Sequence, residues 1–110
     1  MKQKDIFLVN LDPTKGSEQS GKRPVVVISG DTMNTNLGIC IVCPISSKIK
    51  GYTACVPLKK NKINNLGWDS EIITFQIRTI SKERLEQKIG KITDLELSQI
   101  FKGLNLVLNY

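Results

Sequence analysis

The run D-I-F-L-V-N-L-D-P-T-K-G-S-E-Q-S-G-K-R-P-V-V-V-I-S at residues 5–29 decides how this chain is read. Two segments rich in Ile, Val and Leu flank a stretch of Gly, Ser, Pro, Lys and Glu, the pattern of two paired strands joined by a long connection. Connections of about a dozen residues with no structure of their own are uncommon in small domains, and they are functional or disordered when they occur. This one carries Lys15, Glu18, Gln19, Lys22 and Arg23 among the small residues Gly16, Ser17 and Gly21. Pro24 sets the backbone as the chain enters the second strand, which puts the Arg23 guanidinium at the rim of a sheet. A cation so placed suits an anionic ligand.

Outside that run, composition bounds the class. The 110 residues are enough for one core and one domain, spanning 1–110. With 40% hydrophobic and 24% charged residues the chain is globular rather than disordered. Sixteen Lys and Arg against ten Asp and Glu leave a net charge of +6, which suits a polyanionic partner, nucleic acid or an acidic protein segment, and on charge alone serves simple solubility equally well. No apolar run approaches the roughly 18 residues of a membrane span, and residues 1–10 do not read as a secretory leader. The expected location is the cytoplasm, with no membrane partner.

Cysteine usage agrees. Cys40, Cys43 and Cys55 are odd in number and lie within apolar runs, and there is no histidine to complete a zinc site. Cys40 and Cys43, three apart on a strand, face opposite sides of the sheet. They read as buried free thiols, with no metal site.

The rest of the chain continues the strand pattern. After a strand at residues 5–11 and another at 25–29, the turn-forming residues 30–38 make a connection with room for a short helical turn. Further strands are expected at 39–45 and 53–58, separated by the basic loop 46–52, and a lysine-bearing turn follows at 59–67. Residues 70–80, dense in β-branched side chains, predict the longest strand. Ser81 heads a short helical turn before a brief strand at 88–92. Thr93 and Glu96 form a T-x-x-E capping box, and Leu97, Ile100, Phe101, Leu104, Val107 and Leu108 recur at helical spacing. That helix face must be covered by the sheet or by a second copy of the protein. Short strands followed by a terminal helix predict a mostly β fold, a small barrel or open sheet with helices at its margin.

The residues 5–29, together with P-I-S-S-K-I-K-G-Y (44–52), F-Q-I-R-T-I-S-K-E-R-L (75–85) and I-G-K-I (89–92), resemble the MazF/PemK family of toxin endoribonucleases from bacterial toxin–antitoxin pairs. The likeness runs in order through essentially the whole chain. It implies an SH3-like barrel with a C-terminal helix and a homodimer. It also implies cofactor-free, metal-independent cleavage of single-stranded RNA at short sequences, and inhibition by a cognate antitoxin whose acidic, flexible segment occupies the same surface.

Metal-free RNA cleavage uses the substrate's own 2′-hydroxyl, leaving a 2′,3′-cyclic phosphate and a 5′-hydroxyl, and DNA lacks that group. Proton transfer and charge stabilisation must then come from side chains other than histidine. Arg23 matches the family's catalytic arginine; its forked donors suit two phosphate oxygens, and a guanidinium pKa above about 12 makes it a stabiliser of charge rather than a proton carrier. Its alternative is a surface salt bridge. Ser46 stands where the family commonly has a catalytic threonine, keeping the hydroxyl and losing the methyl. Glu18, in the G-S-E-Q run, is the general-base candidate, its alternative being a bond to its own loop or to Arg23. Lys15, Gln19, Lys22, Lys48, Lys50 and Tyr52 are candidates for binding the RNA strand, since cations beside an aromatic ring suit unpaired bases.

Phe75 departs from the family, many members of which carry an acid before Q-x-R-T. On a continuous strand Gln76 and Arg78 share one face and Phe75 and Ile77 the other, so Gln76 and Arg78 complete the RNA-binding set, Arg78 pointing into the groove or pairing with a carboxylate. Two alternatives to a ribonuclease remain open: a gyrase-binding toxin on the same scaffold, like CcdB, and an RNA-binding module that has lost catalysis.

Overall fold

The V-V-V of the second strand is buried on both sides, and the fold is built around it. In the computed structural model, which describes residues 1–110, β1 (Asp5–Asn10) and β2 (Lys22–Val27) pair antiparallel, with Val9 opposite Arg23. A short α1 (Asp31–Asn36) leads to β3 (Ile39–Ser46), and β4 (Val56–Leu58), β5 (Ser70–Ile72), β6 (Arg78–Ser81) and β7 (Leu85–Lys91) follow before α2 (Asp94–Asn109). All ladders are antiparallel, and the seven-stranded sheet runs β4-β5-β3-β2-β1-β7 with β6 also on β3.

Strand alternation sorts the side chains into two cores. Ile6, Val26, Cys43, Ile45, Ile72 and Ile100 belong to one; Val9, Leu11, Val25, Val27, Cys40, Val42 and Ile80 belong to the other. Cys40 and Cys43 therefore do lie on opposite faces, and all three thiols are free and buried. Burial pushes the Cys43 thiol up to about 12, and it raises those of Cys40 and Cys55 as well, the Glu71 carboxylate adding to the rise at Cys55.

The sheet curls into a small barrel-like form without a ladder between β4 and β7. The 59–67 loop bridges that gap: Lys91 N donates to Ile63 O at 3.1 Å and Asn65 Nδ2 to Ile89 O at 3.3 Å. Gly90 permits the approach, since a Cβ there would lie 2.5 Å from Asn64 O. Helix α2 carries the expected capping box, with Thr93 N donating to Glu96 Oε1 at 2.8 Å and Glu96 N to Thr93 Oγ1 at 3.2 Å. It rests on the sheet through Ile100 and Gly103, where a Cβ would meet Ala54 O at 2.1 Å. Only part of the periodic apolar face is covered. Leu97 and Leu104 pack against the core, whereas Phe101, Val107 and Leu108 remain exposed.

Residues 70–80 are not one strand. They break at a 3₁₀ turn, Thr74–Gln76, into β5 against Ile45–Ser46 and β6 against residues 39–42 of β3. Pro44 supplies the reason. Its carbonyl accepts from Ile73 N at 2.9 Å, but it has no N–H to return, so the ladder lapses and Thr74 turns away to donate its hydroxyl to Ala54 O at 2.9 Å. Residues 53–58 likewise form strand only from Val56, and β7 begins at Leu85, earlier than the expected residue 88, because β1 offers it a partner along its whole length.

Candidate active site

Strand β2 leaves the 11–21 loop at Lys22, and Arg23 follows at the sheet rim, half-buried, where the register fixes it opposite Val9. Its Nε donates to Ser20 O at 2.9 Å, no carboxylate pairs with it, and its two terminal nitrogens have no partner in the chain. The salt-bridge reading of Arg23 is thereby set aside. The fork opens into a cavity of about 460 Å³ that it shares with Ser46, Lys48, Lys50 and Tyr52.

Ser46 ends β3 and is 3% exposed. Its Oγ accepts from Lys48 N at 3.1 Å, leaving the O–H to donate into the cavity. On the neighbouring strand, directly across the ladder, stands Glu71, also 3% exposed. Its carboxylate lies beneath the 47–55 loop and accepts from Lys50 N and Gly51 N, both at 3.2 Å. Glu71 lines the same cavity and was not among the residues singled out by sequence. An acid between Ser70 and the apolar Ile72 and Ile73 is the signal available for it, since a buried carboxylate must have work for its oxygens.

The 3₁₀ turn changes which side chains meet. Phe75 and Gln76 both line the cavity, rather than pointing to opposite faces, because a turn has no two-residue alternation. Phe75 sits edge-on to Tyr52, with ring centroids 5.7 Å apart at 75°. Gln76 ties the turn to the 11–21 loop: its Nε2 donates to Ser17 O at 3.2 Å and its Oε1 accepts from Gln19 N at 3.4 Å. The side-chain oxygen of Gln19, which also borders the cavity, is buried without a partner.

Four candidates lie elsewhere. Glu18 faces an adjacent cavity with Gln19, Gln76 and Arg78, and its carboxylate accepts from Lys15 N within its own loop, while Lys15 borders neither cavity. Arg78 neither pairs with a carboxylate nor reaches Ser46; it donates to Leu11 O at 3.4 Å and supports the loop from behind. Lys22 projects to the far side of Arg23, where Glu86 pairs with it at 3.2 Å. Strand alternation separates it from Arg23, and loop geometry separates Glu18 from Ser46. The remaining candidates, Arg23, Ser46, Gln19, Lys48, Lys50, Tyr52 and Gln76, converge on one concave surface rich in donors.

Known proteins resemble this chain in sequence and in fold. Residues 2–108 match the family model described as "PemK-like, MazF-like toxin of type II toxin-antitoxin system". Over 110 residues the chain is 36% identical to the protein named Endoribonuclease MazF of Staphylococcus saprophyticus, covering 98% of this chain and 91% of that one. Among solved structures, MazF from Deinococcus radiodurans superposes with a TM-score of 0.86 at 24% identity, over 100% of this chain and 97% of the other. An endoribonuclease in complex with its cognate antitoxin, from a mycobacterial species, gives 0.81 at 14% identity over 98% and 94%. The two superpositions establish the shared fold, and the family match spans nearly the whole sequence. The chain belongs to the family of PemK-like, MazF-like toxins of type II toxin–antitoxin systems.

Proposed function

We propose that the protein is an endoribonuclease that cuts single-stranded RNA by attack of the 2′-hydroxyl on the adjacent phosphorus, without a metal ion. The observation that carries this reading is the Arg23 fork, free of protein partners, facing the buried Ser46 hydroxyl across a cation-lined cavity. Arg23 binds two non-bridging oxygens and stabilises the charge that accumulates on the phosphorane. Ser46 donates to one of the same oxygens. As the 2′-oxygen bonds to phosphorus the 5′-oxygen departs and takes up a proton, leaving a 2′,3′-cyclic phosphate and a 5′-hydroxyl.

Glu18 is assigned the proton from the 2′-hydroxyl, reached by a shift of its exposed loop on RNA binding; the other nearby carboxylate, Glu71, already has both oxygens engaged. Lys48 and Lys50 hold the backbone, and Tyr52 with Phe75 stacks a base. The unpartnered Gln19 oxygen is an acceptor for a base edge or a ribose hydroxyl. The enzyme acts in the cytoplasm; no helix is long and apolar enough to cross a membrane. Phe101, Val107 and Leu108 on α2 contribute to a homodimer contact, and an acidic, flexible antitoxin segment occupies the cationic cavity.

The test is to incubate the protein with long single-stranded RNA in excess EDTA and map the fragment ends. Discrete cuts bearing a cyclic phosphate or 3′-phosphate are expected. Arg23→Ala should lower the rate at least about 10²-fold, and Arg23→Lys should not restore it, because the ammonium lacks the fork. Intact RNA from protein that binds it would overturn the catalytic reading in favour of a binding module.

A further inference from the structure

A second cavity lies on the far side of Arg23, and Arg23 belongs to both. Ser46 faces the first and the next residue, Ser47, lines the second, as alternation at the end of β3 requires. Lys22, Asn65, Trp68 and Ile89 complete much of the wall. Trp68 is the only tryptophan in the chain, and it is 74% exposed. Its indole N–H has no partner in the chain. Leaving so much of an indole in water forgoes the burial that normally places this side chain in a core.

The backbone that presents it is anchored nonetheless. Ser70 Oγ donates to Trp68 O at 2.9 Å, and Lys60 N donates to Asp69 Oδ1 at 2.9 Å. The buried Asn64 accepts from Asn61 N and Leu66 N and donates to Lys59 O, and Leu66 packs on the core. A held loop therefore carries a flat apolar face beside Arg23 and Lys22, the latter shared with Glu86. An aromatic face next to cations that track a phosphate backbone matches a nucleotide of an unpaired strand.

We infer that Trp68 is the stacking platform of a second RNA subsite, which takes the base of a nucleotide flanking the scissile phosphate while Arg23 holds the phosphate between the two cavities. The inference rests on the ribonuclease reading and adds to it a footprint extending past the cut. Because Arg23 lines both cavities, a strand held at its guanidinium can place neighbouring nucleotides in each.

As the sole tryptophan, Trp68 reports on its own site. Titration of the wild-type protein with a 2′-O-methylated single-stranded RNA, which cannot be cut, should change indole emission saturably. Trp68→Ala should weaken binding by about tenfold to a hundredfold, as loss of one base stack does, while Trp68→Phe retains most of the affinity. The affinity gained by lengthening the oligonucleotide beyond the cut site should shrink in Trp68→Ala. Thermal midpoints of both variants should match the wild type, since the side chain is exposed. Binding seen by anisotropy with unchanged emission, and unchanged affinity in Trp68→Ala, would overturn the subsite and leave the ribonuclease intact. Emission that responds to an acidic peptide but not to RNA would make this a protein-docking face and equally overturn it. A protein that neither binds nor cuts RNA would remove the ribonuclease reading and the subsite together.

Discussion

The two loops that face each other across the Arg23 cavity are held by opposite means. The 11–21 loop is mostly exposed and is secured at many points by side chains from other elements. Gln76 reaches Ser17 and Gln19, Arg78 reaches Leu11, and Arg84 Nη2 donates to Asn10 O at 2.7 Å and Asp12 O at 2.8 Å. Its neck is closed by Leu11 N donating to Gly21 O at 2.9 Å and Gly21 N to Asp12 Oδ1 at 3.1 Å. The 47–55 loop is tied near its ends, by Lys48 N donating to Ser46 Oγ and by the Thr74 hydroxyl donating to Ala54 O, but between them the position of Lys50 and Gly51 depends on one buried carboxylate, Glu71. Distributed anchoring tolerates the loss of any member, and a single anchor does not.

Substitutions at the anchors put that contrast at risk, beginning with the largest expected effect. Glu71→Ala removes the acceptor for two backbone N–H groups and should destabilise the fold by about 2–3 kcal/mol in denaturant titration. Displacement of Lys50 and its neighbour Tyr52 should lower RNA cleavage about 10²-fold, the cost of a misplacement of about 1 Å. Glu71→Gln keeps one acceptor oxygen and should fall between. If Glu71→Ala cut RNA as well as the wild type, the single-anchor account would be wrong.

A smaller effect is expected at Gln76→Ala. Its bonds to the first loop are long and partly exposed, and Arg78 and Arg84 remain in place, so stability should change by no more than about 1 kcal/mol and activity by about tenfold or less. A loss equal to that of Glu71→Ala would mean that the two loops are anchored alike.

Far from both loops, the ion pair of Lys4 Nζ and Asp94 Oδ1 at 2.6 Å supplies the smallest effect and a control. The Lys4 hydrogen bond, and then its charge, hold the Asp94 carboxyl below its usual range. A depressed folded-state value stabilises the protein above the unfolded carboxyl's range, and this is lost as pH falls through the folded-state value. Asp94→Asn should therefore lower the thermal midpoint slightly at neutral pH, with the difference closing in acid, and leave RNA cleavage unchanged. A midpoint gap that persisted once the carboxyl was protonated would point to packing rather than charge.

Much of this was legible in the chain because it is local. The V-V-V run, the T-x-x-E box and the three-residue spacing of Cys40 and Cys43 each encode their outcome within a few contiguous residues, and each appears as read. So does the placing of Arg23 at a sheet rim, which Pro24 at the entry to the second strand suffices to bring about. The resemblance carried the family in the same way, through motifs in order along the chain.

What contiguous residues could not encode was the effect of one strand on another. Residues 70–80 have the composition of a single strand, yet Pro44, far away in sequence, interrupts their ladder and turns Phe75 and Gln76 into one cavity. Glu71 is buried because the 47–55 loop closes over it, and Trp68 is exposed because the loop that bears it is fastened with the indole outward. By itself the sequence determined the elements, the helix cap, the buried thiols and the arginine at the rim, because propensity and periodicity act over neighbouring residues. The tertiary structure alone decided which carboxylate underlies the site and on which side of Arg23 each cation falls, because those depend on hydrogen bonds between strands distant in sequence.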